Sequence, residues 1–253
     1  MYQKIIRLMP MDSISYNEAK DEIWGFLFAL ECNGQILKSY SVIKSEDYLL
    51  YVTSPKSDSL DEKYDSEYVT KRKDWISEHY SIKIEDIGIN LESQEYCQCK
   101  ERSAIEMQTH RFDIDSVFTC CDCGKPIALY ELPKIDGEKD FCDIQLWQDN
   151  YASVDMLWLN CLCDRYSGNQ RVKPDSALNR QGYKIARSMR KAIGIPVYYH
   201  LECDYGKSVR AEQVGTEQIH LCPGCERRMK RINISEEIKI DTCSDCGLSY
   251  DAH

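Results

Sequence analysis

The sequence predicts an α+β protein, and three features of its 253 residues lead to that class. Hydrophobic periods of two and of three to four residues alternate through the first ninety positions, the pattern left by strands and helices in turn. Cysteine occurs fourteen times and is concentrated after residue 90. Four of those cysteines close the chain in the pattern C-x2-C-x17-C-x2-C.

The N-terminal elements follow one another closely. Residues 2–8 read as a strand, and 16–31 as a helix with Ala19, Ile23, Phe26, Leu27 and Leu30 on one face. Two strands, 35–43 and 48–53, flank a turn at Ser45, Glu46 and Asp47, and Ser54, Pro55 and Lys56 end the second. A charged helix is expected over 60–79, then a fourth strand over 81–89 carrying isoleucines at 82, 84, 87 and 89. The resulting order, βαββαβ over residues 1–91, is that of a ferredoxin-like unit, a four-stranded sheet under two helices. That fold hosts many unrelated activities, so it assigns none here.

A cysteine-rich, helical middle domain is expected over 92–215. Cys120 and Cys123, followed by Gly124, form a C-x2-C-G knuckle, in which glycine supplies the positive φ that a metal-binding turn requires after its second cysteine. Cys97 and Cys99 lie upstream as C-x-C and complete a possible second site of four thiols. In a flat strand such a pair is too widely spaced for one metal, so a turn or bulge must bring the sulfurs together. The alternatives are packed, reduced cysteines, or substitution by Cys121, His110 or His79. A helix over 141–163 carries Trp147, Tyr151, Val154, Trp158 and Cys161 at helical spacing, which marks a core stripe rather than a row of base-stacking platforms. Cys161 and Cys163 are about 200° apart on that helix and are expected to be buried thiols. After Pro174, Asp175 or Ser176 caps a helix running to residue 193, with Leu178, Gly182, Ile185, Met189 and Ala192 on its apolar side and Gly194 at its end. A buried strand is expected over 195–201.

The last domain, 216–253, reads as a zinc ribbon. Two-residue spacers let one tight turn aim two sulfurs at a metal, and Cys222, Cys225, Cys243 and Cys246 supply the four thiolates of a tetrahedral site. Between the pairs, Ile232, Ile234, Ile238 and Ile240 alternate as hairpin strands do. Four thiolates leave no open coordination position, so Zn2+ here is expected to fold the segment rather than to catalyse. One zinc is expected from this motif, and the upstream cysteines offer a possible second site.

Charge is unevenly distributed. The net charge is −10, yet residues 165–231 hold fourteen Lys and Arg against six Asp and Glu, while residues 1–164 carry −14. In the basic window Arg180, Lys184, Arg187 and Lys191 form a row along the predicted helix, with Arg190 alongside, and Arg227, Arg228, Lys230 and Arg231 follow the first ribbon knuckle. Without Arg190, these eight are the candidate phosphate contacts of a nucleic-acid partner. No run of eighteen apolar residues is present, and residues 1–10 lack the order of a secretory signal, so a cytoplasmic protein without membrane contact is expected. A reducing compartment in turn favours thiolate metal sites over disulfides.

Several segments together resemble a bacterial family of unknown function described as zinc-ribbon-containing, with nucleic-acid binding as its candidate role. They are the stretch CGKPIALYELP from Cys123 to Pro133, LWQDNY from Leu146 to Tyr151 with Leu157 and Trp158, GIPVYY from Gly194 to Tyr199, and the paired ribbon cysteines. The resemblance covers roughly the last 130 residues and implies a cytoplasmic protein with a C-terminal zinc ribbon. It supplies no catalytic residue. Two features depart from the family's pattern: Glu226, Arg227 and Arg228 follow Cys225 where a glycine-containing knuckle is usual, and the Cys97 and Cys99 pair lies outside it.

The expected function is therefore a zinc-binding, non-catalytic, cytoplasmic protein that contacts nucleic acid through the basic surface of its C-terminal half. The alternative is a protein-binding module, such as an inhibitor or immunity protein, whose acidic body covers a basic protein partner; Asp58, Asp61, Glu62, Asp65 and Glu67 motivate it. An enzyme of the zinc-deaminase kind is suggested only by His200, Glu202, Cys222 and Cys225, and Cys243 with Cys246 already complete that metal shell.

Overall fold

The computed structural model describes residues 1–90, 93–202, 211–215, 217–235 and 238–252. The first expected domain boundary, at Leu91 and Glu92, and Thr216, where the ribbon domain is expected to begin, lie outside these residues. The chain divides into two compact units. One comprises Met1–Tyr96, Ile114–Ser116 and Ala128–Cys142, the other Cys97–Asp113, Val117–Ile127 and Asp143–His253.

In the first unit β1 (Tyr2–Pro10), α1 (Tyr16–Cys32), β2 (Tyr40–Lys44), β3 (Tyr48–Ser54), α2 (Glu67–His79) and β4 (Tyr80–Ile89) follow the expected order. Their sheet runs β2-β3-β1-β4, and every neighbouring pair is antiparallel. Ser15 caps α1 by accepting from the Glu18 N–H, and its hydroxyl donates to the Glu18 carboxylate, so the S-x-x-E sequence starts the helix. Ile23, Phe26, Leu27 and Leu30 of α1 then meet Ile6, Leu8, Leu50 and Val52 of the sheet in one core. Two boundaries shift for physical reasons. The strand β2 starts at Tyr40 rather than 35 because the Gln35 amide is buried and bonds to the Ser59 carbonyl and the Asp65 carboxylate, which holds that stretch as a connection. The helix α2 starts at Glu67 rather than 60, where Ser66 accepts from the Val69 N–H. A disulfide joins Cys32 to Cys142, whose Cα atoms are 4.8 Å apart, so at this pair the preference for thiolate metal sites over disulfides does not hold. A separation of 110 residues left no sign of it in the sequence.

The second unit is built on a six-stranded sheet in the order β10-β11-β12-β7-β5-β6. Its strands are β5 (Ile105–Met107), β6 (Phe118–Cys120), β7 (Val197–His200), β10 (Lys230–Asn233), β11 (Lys239–Cys243) and β12 (Leu248–Asp251). β7 pairs in parallel with both β5 and β12; the other ladders are antiparallel. The strands β10, β11 and β12, from the segment expected to be a ribbon, thus continue the sheet of the middle segment instead of forming a separate layer. A short hairpin of β8 (Ala211–Val214) and β9 (Glu217–His220) precedes them.

Three helices complete this unit, α3 (Cys142–Leu159), α4 (Asp164–Val172) and α5 (Ala177–Ile193). Ser176 caps α5 through the Asn179 N–H, and Gly194 ends it in the left-handed conformation. Trp147 of α3 and Tyr199 of β7 meet edge-to-face over Gly182 of α5, and the Trp147 indole N–H donates to the Leu178 carbonyl at 3.1 Å. The expected stripe on α3 holds at Trp147 and Tyr151, but Asp155 rather than Val154 continues the buried face. The helix ends at Leu159, and Cys161 and Cys163 are exposed, so the expectation of buried thiols there is corrected. The helix α4, whose sequence is too polar to read as a core helix, is held by charge. Arg171 is 6% exposed, pairs with Asp155 at 3.1 Å and with Glu202, and lies over the Trp158 ring.

A Cβ at Gly182 falls 2.4 Å from the Tyr199 ring and 2.8 Å from Trp147. Both rings are locked in the core, so G182A is expected to destabilise the second unit by about 2–3 kcal/mol. Urea unfolding of the variant against the parent protein checks this; an unchanged midpoint would contradict the packing described.

Candidate metal centres and the basic helix

Two groups of four cysteines converge in the second unit. Cys97, Cys99, Cys120 and Cys123 form one, Cys222, Cys225, Cys243 and Cys246 the other, and within each group all four sulfurs lie within 4.8 Å of one another. Four thiols this close, two of them buried in each group, are the donor set of a tetrahedral metal site. The Cys225 and Cys243 sulfurs are 3.7 Å apart. Sulfurs about 2.3 Å from a tetrahedral ion would stand about 3.8 Å from one another.

The backbone explains why the sulfurs converge. Three of the four pairs adopt the same turn, in which the residue after the second cysteine donates its N–H to the carbonyl of the first. Gly124 donates to Cys120 at 2.8 Å, Glu226 to Cys222 at 2.7 Å and Gly247 to Cys243 at 2.7 Å. That residue is left-handed each time, with φ of 68°, 57° and 67°. Glycine occupies the position freely, whereas Glu226 pays a steric cost there. Gly224 fills a further requirement, since a Cβ on it would meet the Cys246 sulfur at 2.9 Å. The fourth pair is the C-x-C. It lies outside any strand, and the Cys99 N–H turns back to the Cys97 sulfur at 3.4 Å while the Cys97 N–H donates to Pro126. This is the turn that the spacing demanded.

Electrostatics divide the thiols of each group. Burial opposes the Cys97 thiolate, but bonds from the Arg102 guanidinium and the Cys99 amide outweigh it and bring its pKa down to about 7. The Arg227 backbone amide leads the set of donors that lowers Cys225 to about 6. Cys120 and Cys246 move upward, chiefly through burial. Closely packed thiols cannot all ionise without a cation among them, so each group gains its full thiolate character only with a metal present.

The other candidate ligands stand apart. Cys121 is 3% exposed and belongs to neither group, His79 pairs with Asp12 at 2.9 Å, and the His110 backbone binds Asp113. His200 lies against Glu106 at 3.1 Å, and Glu202 bonds to Tyr151 and Arg171. Neither residue is part of a four-thiol group, so the deaminase-like grouping of His200 and Glu202 with Cys222 and Cys225 does not assemble among the described residues.

The helix α5 is fastened to the second group. Tyr183 donates its hydroxyl to the Cys246 carbonyl, and Arg190 donates to the Ser244 carbonyl at 2.9 Å. Arg180, Lys184, Arg187 and Lys191 are exposed, and none of the four forms an ion pair with a described residue. Lys230 is exposed as well. The remaining candidates are engaged: Arg227 with Asp245, Arg228 with Glu212 at 2.7 Å, and Arg231, whose side chain is 9% exposed, with Asp241 at 2.9 Å. Three lysines partly offset the acidic cluster. Lys63 pairs with Asp58 and Asp61, Lys73 with Glu62 and Asp65, and Lys139 with Glu67.

Comparisons with known proteins match two separate stretches of the chain. Residues 99–202 match a domain of unknown function (DUF2310), and residues 1–84 match another (DUF8589). Two uncharacterized proteins of Haemophilus influenzae are each 30% identical to this chain over 101 residues, which is 40% of its length and 36% and 47% of theirs. The chain thus spans less than half the length of the curated relatives it matches. No described helix is long and apolar enough to cross a membrane.

Two outcomes follow from the turn geometry. Cys243→Ser and Cys123→Ser are each expected to remove one of two bound metal ions, read by metal analysis of the purified protein; an unchanged stoichiometry in both would contradict the assignment. Glu226→Gly relieves the left-handed strain and is expected to raise stability by about 0.5–1 kcal/mol with metal content unchanged, measured by thermal unfolding of the metal-loaded protein.

Proposed function

We propose that the protein is a non-catalytic, cytoplasmic nucleic-acid-binding protein whose C-terminal half is ordered by two structural zinc ions. All-thiolate, four-coordinate donor sets favour zinc and leave no place for substrate or water on the metal. On this reading Cys97, Cys99, Cys120 and Cys123 hold one ion, and Cys222, Cys225, Cys243 and Cys246 hold the other as a zinc ribbon joined to the larger sheet. The first unit serves as a ferredoxin-like body, a reading supported by its β2-β3-β1-β4 strand order.

The observation that carries the reading is the exposed, unpaired row of Arg180, Lys184, Arg187 and Lys191 on a helix bonded to a metal turn. In a chain of net charge −10, four cations held on one rigid face without carboxylate partners are costly in mutual repulsion and are relieved by a polyanion. Contacts of this kind track the phosphate backbone and carry no sequence information by themselves. Lys230 extends the set, with Arg227 and Arg228 reachable if they exchange their exposed carboxylate partners for phosphate. Arg231 is withdrawn from it by its buried pairing with Asp241. The competing reading, an acidic body that masks a basic protein, is weakened where three lysines pair with the acidic cluster.

Fluorescence anisotropy of the zinc-loaded chain with a labelled single-stranded oligonucleotide of about 20 nucleotides tests the proposal. Log affinity should fall linearly with log salt, and replacing Arg180, Lys184, Arg187 and Lys191 together by Gln should reduce that slope by up to about 3. Zinc content and thermal stability should be unaffected, because all four side chains are exposed. An affinity indifferent to salt, or equal in parent and variant, would overturn the reading.

A further inference from the structure

We propose that the outer edge of β4 is a homodimerisation surface, along which a second copy of this chain adds its own β4 antiparallel about a two-fold axis at Ile84. The two end strands of the sheet β2-β3-β1-β4 differ in how they are protected. β2 has five residues and ends on Lys44, a short and charged edge of the kind that resists further pairing. β4 has ten residues and no proline, and among the described residues no strand pairs with its outer side. Ile84, Ile87 and Ile89 are 45%, 54% and 60% exposed along it. A long edge that carries apolar side chains is a template for another strand.

The ladder with β1 shows which backbone groups face outward. The His79 carbonyl accepts from the Met11 N–H, and Ser81, Lys83 and Glu85 then lie opposite Met9, Arg7 and Ile5. In an antiparallel pair, residues that bond to the neighbour alternate with residues that do not. Lys83 and Glu85 therefore bond inward to β1, while Ile82, Ile84 and Asp86 turn their N–H and C=O groups to the free side. The register steps from Lys4 opposite Asp86 to Gln3 opposite Gly88, so Ile87 bulges and the regular edge spans residues 80–86.

Charge and symmetry select the register. A two-fold axis perpendicular to the sheet makes one residue face its own copy, and its neighbours then pair reciprocally. Within the regular stretch, an axis at Lys83, Glu85 or Asp86 sets like charges directly opposite each other, which is destabilising. An axis at Ile82 sets Lys83 against Ser81 and runs past the start of the strand at Tyr80. An axis at Ile84 alone sets Lys83 against Glu85 of the second copy, and does so twice. It also makes the two Ile84 residues a doubly hydrogen-bonded pair with Cα atoms about 5.5 Å apart. Ile84 lies opposite Ile6 of the core, so the two isoleucines meet where both cores end. The Lys83 side chain is 63% exposed and already bonds to Glu85 of its own chain at 3.1 Å, so it reaches the second copy without a desolvation barrier. Asp86 comes opposite Ile82 and stays in solvent on its Lys4 pair. The pairing uses neither the cysteine groups nor α5, so it goes beyond the nucleic-acid reading and does not depend on it.

Sedimentation velocity of the metal-loaded full chain, from micromolar to submillimolar concentration, tests the proposal. The parent should sediment as one chain at the low end and as two at the high end. Ile84→Lys sets two cations against each other at the axis and should sediment as one chain throughout, with the parent's thermal midpoint where both are monomeric. Lys83→Glu and Glu85→Lys each set like charges opposite one another twice and should raise the dissociation constant by about tenfold. Mixed in equal amounts, these two variants should pair with each other at close to the parent affinity, since one supplies both acids and the other both bases. Glu85→Lys also loses its bond to Arg7; if it does not fold, Ile84→Lys and Lys83→Glu decide the case. A parent that stays single at the highest concentration, a dimer that persists in Ile84→Lys, or association that grows beyond two chains would overturn the proposal. So would a mixture of folded charge variants that pairs no better than either alone.

Discussion

Four sulfurs held within 4.8 Å of one another, twice in one unit, are the constraint on which the rest of the second unit depends. Thiols at that spacing repel once ionised and pack poorly when protonated, so the arrangement is stable as a folded object when a cation sits among them. The turns that present them are correspondingly demanding. The three C-x2-C turns each use a left-handed residue, and one of those residues, Glu226, has a side chain that such a conformation disfavours. The backbone accepts that strain in order to aim its sulfurs.

The two groups are linked through the same sheet. Cys120 ends β6 at one edge, and Cys243 ends β11 near the other. The β10–β11 connection also reaches the knuckle of the first group, because an Ile234 methyl carbon lies 3.0 Å from where a Cβ on Gly124 would be. A small apolar cluster of Ala104, Cys121, Tyr198 and Ile240, with Ile232 and Ile234 against it, fills the space between. The helix α5 is in turn bonded to the Cys243–Cys246 turn by Tyr183 and Arg190. Order at the metal turns is therefore passed by direct contact to the basic row, which ties the proposed binding surface to metal occupancy.

Much of this was legible in the sequence because it rests on local rules. The C-x2-C pairs, the Ser176 cap with Gly194 beyond it, and the apolar face of α1 each depend on neighbours a few residues away. What escaped depends on distant partners. The helix α4 has no apolar stripe, and it exists because Arg171 finds Asp155 and Glu202, residues brought near only by the fold. The helical spacing of residues 141–163 places Cys161 within a continuing helix, yet α3 stops at Leu159 in a turn that no glycine or proline announces. The union of Cys32 with Cys142 is equally silent in sequence. Arg231 shows the opposite failure: it belongs to a basic run by composition, but Asp241 on the adjacent strand takes it into the interior.

X-ray absorption at the zinc edge of the purified protein tests the central claim most directly. The account predicts zinc in a shell of four sulfurs at about 2.3 Å with no lighter donor. A shell containing nitrogen or oxygen ligands, or a folded protein that carries no metal, would contradict it.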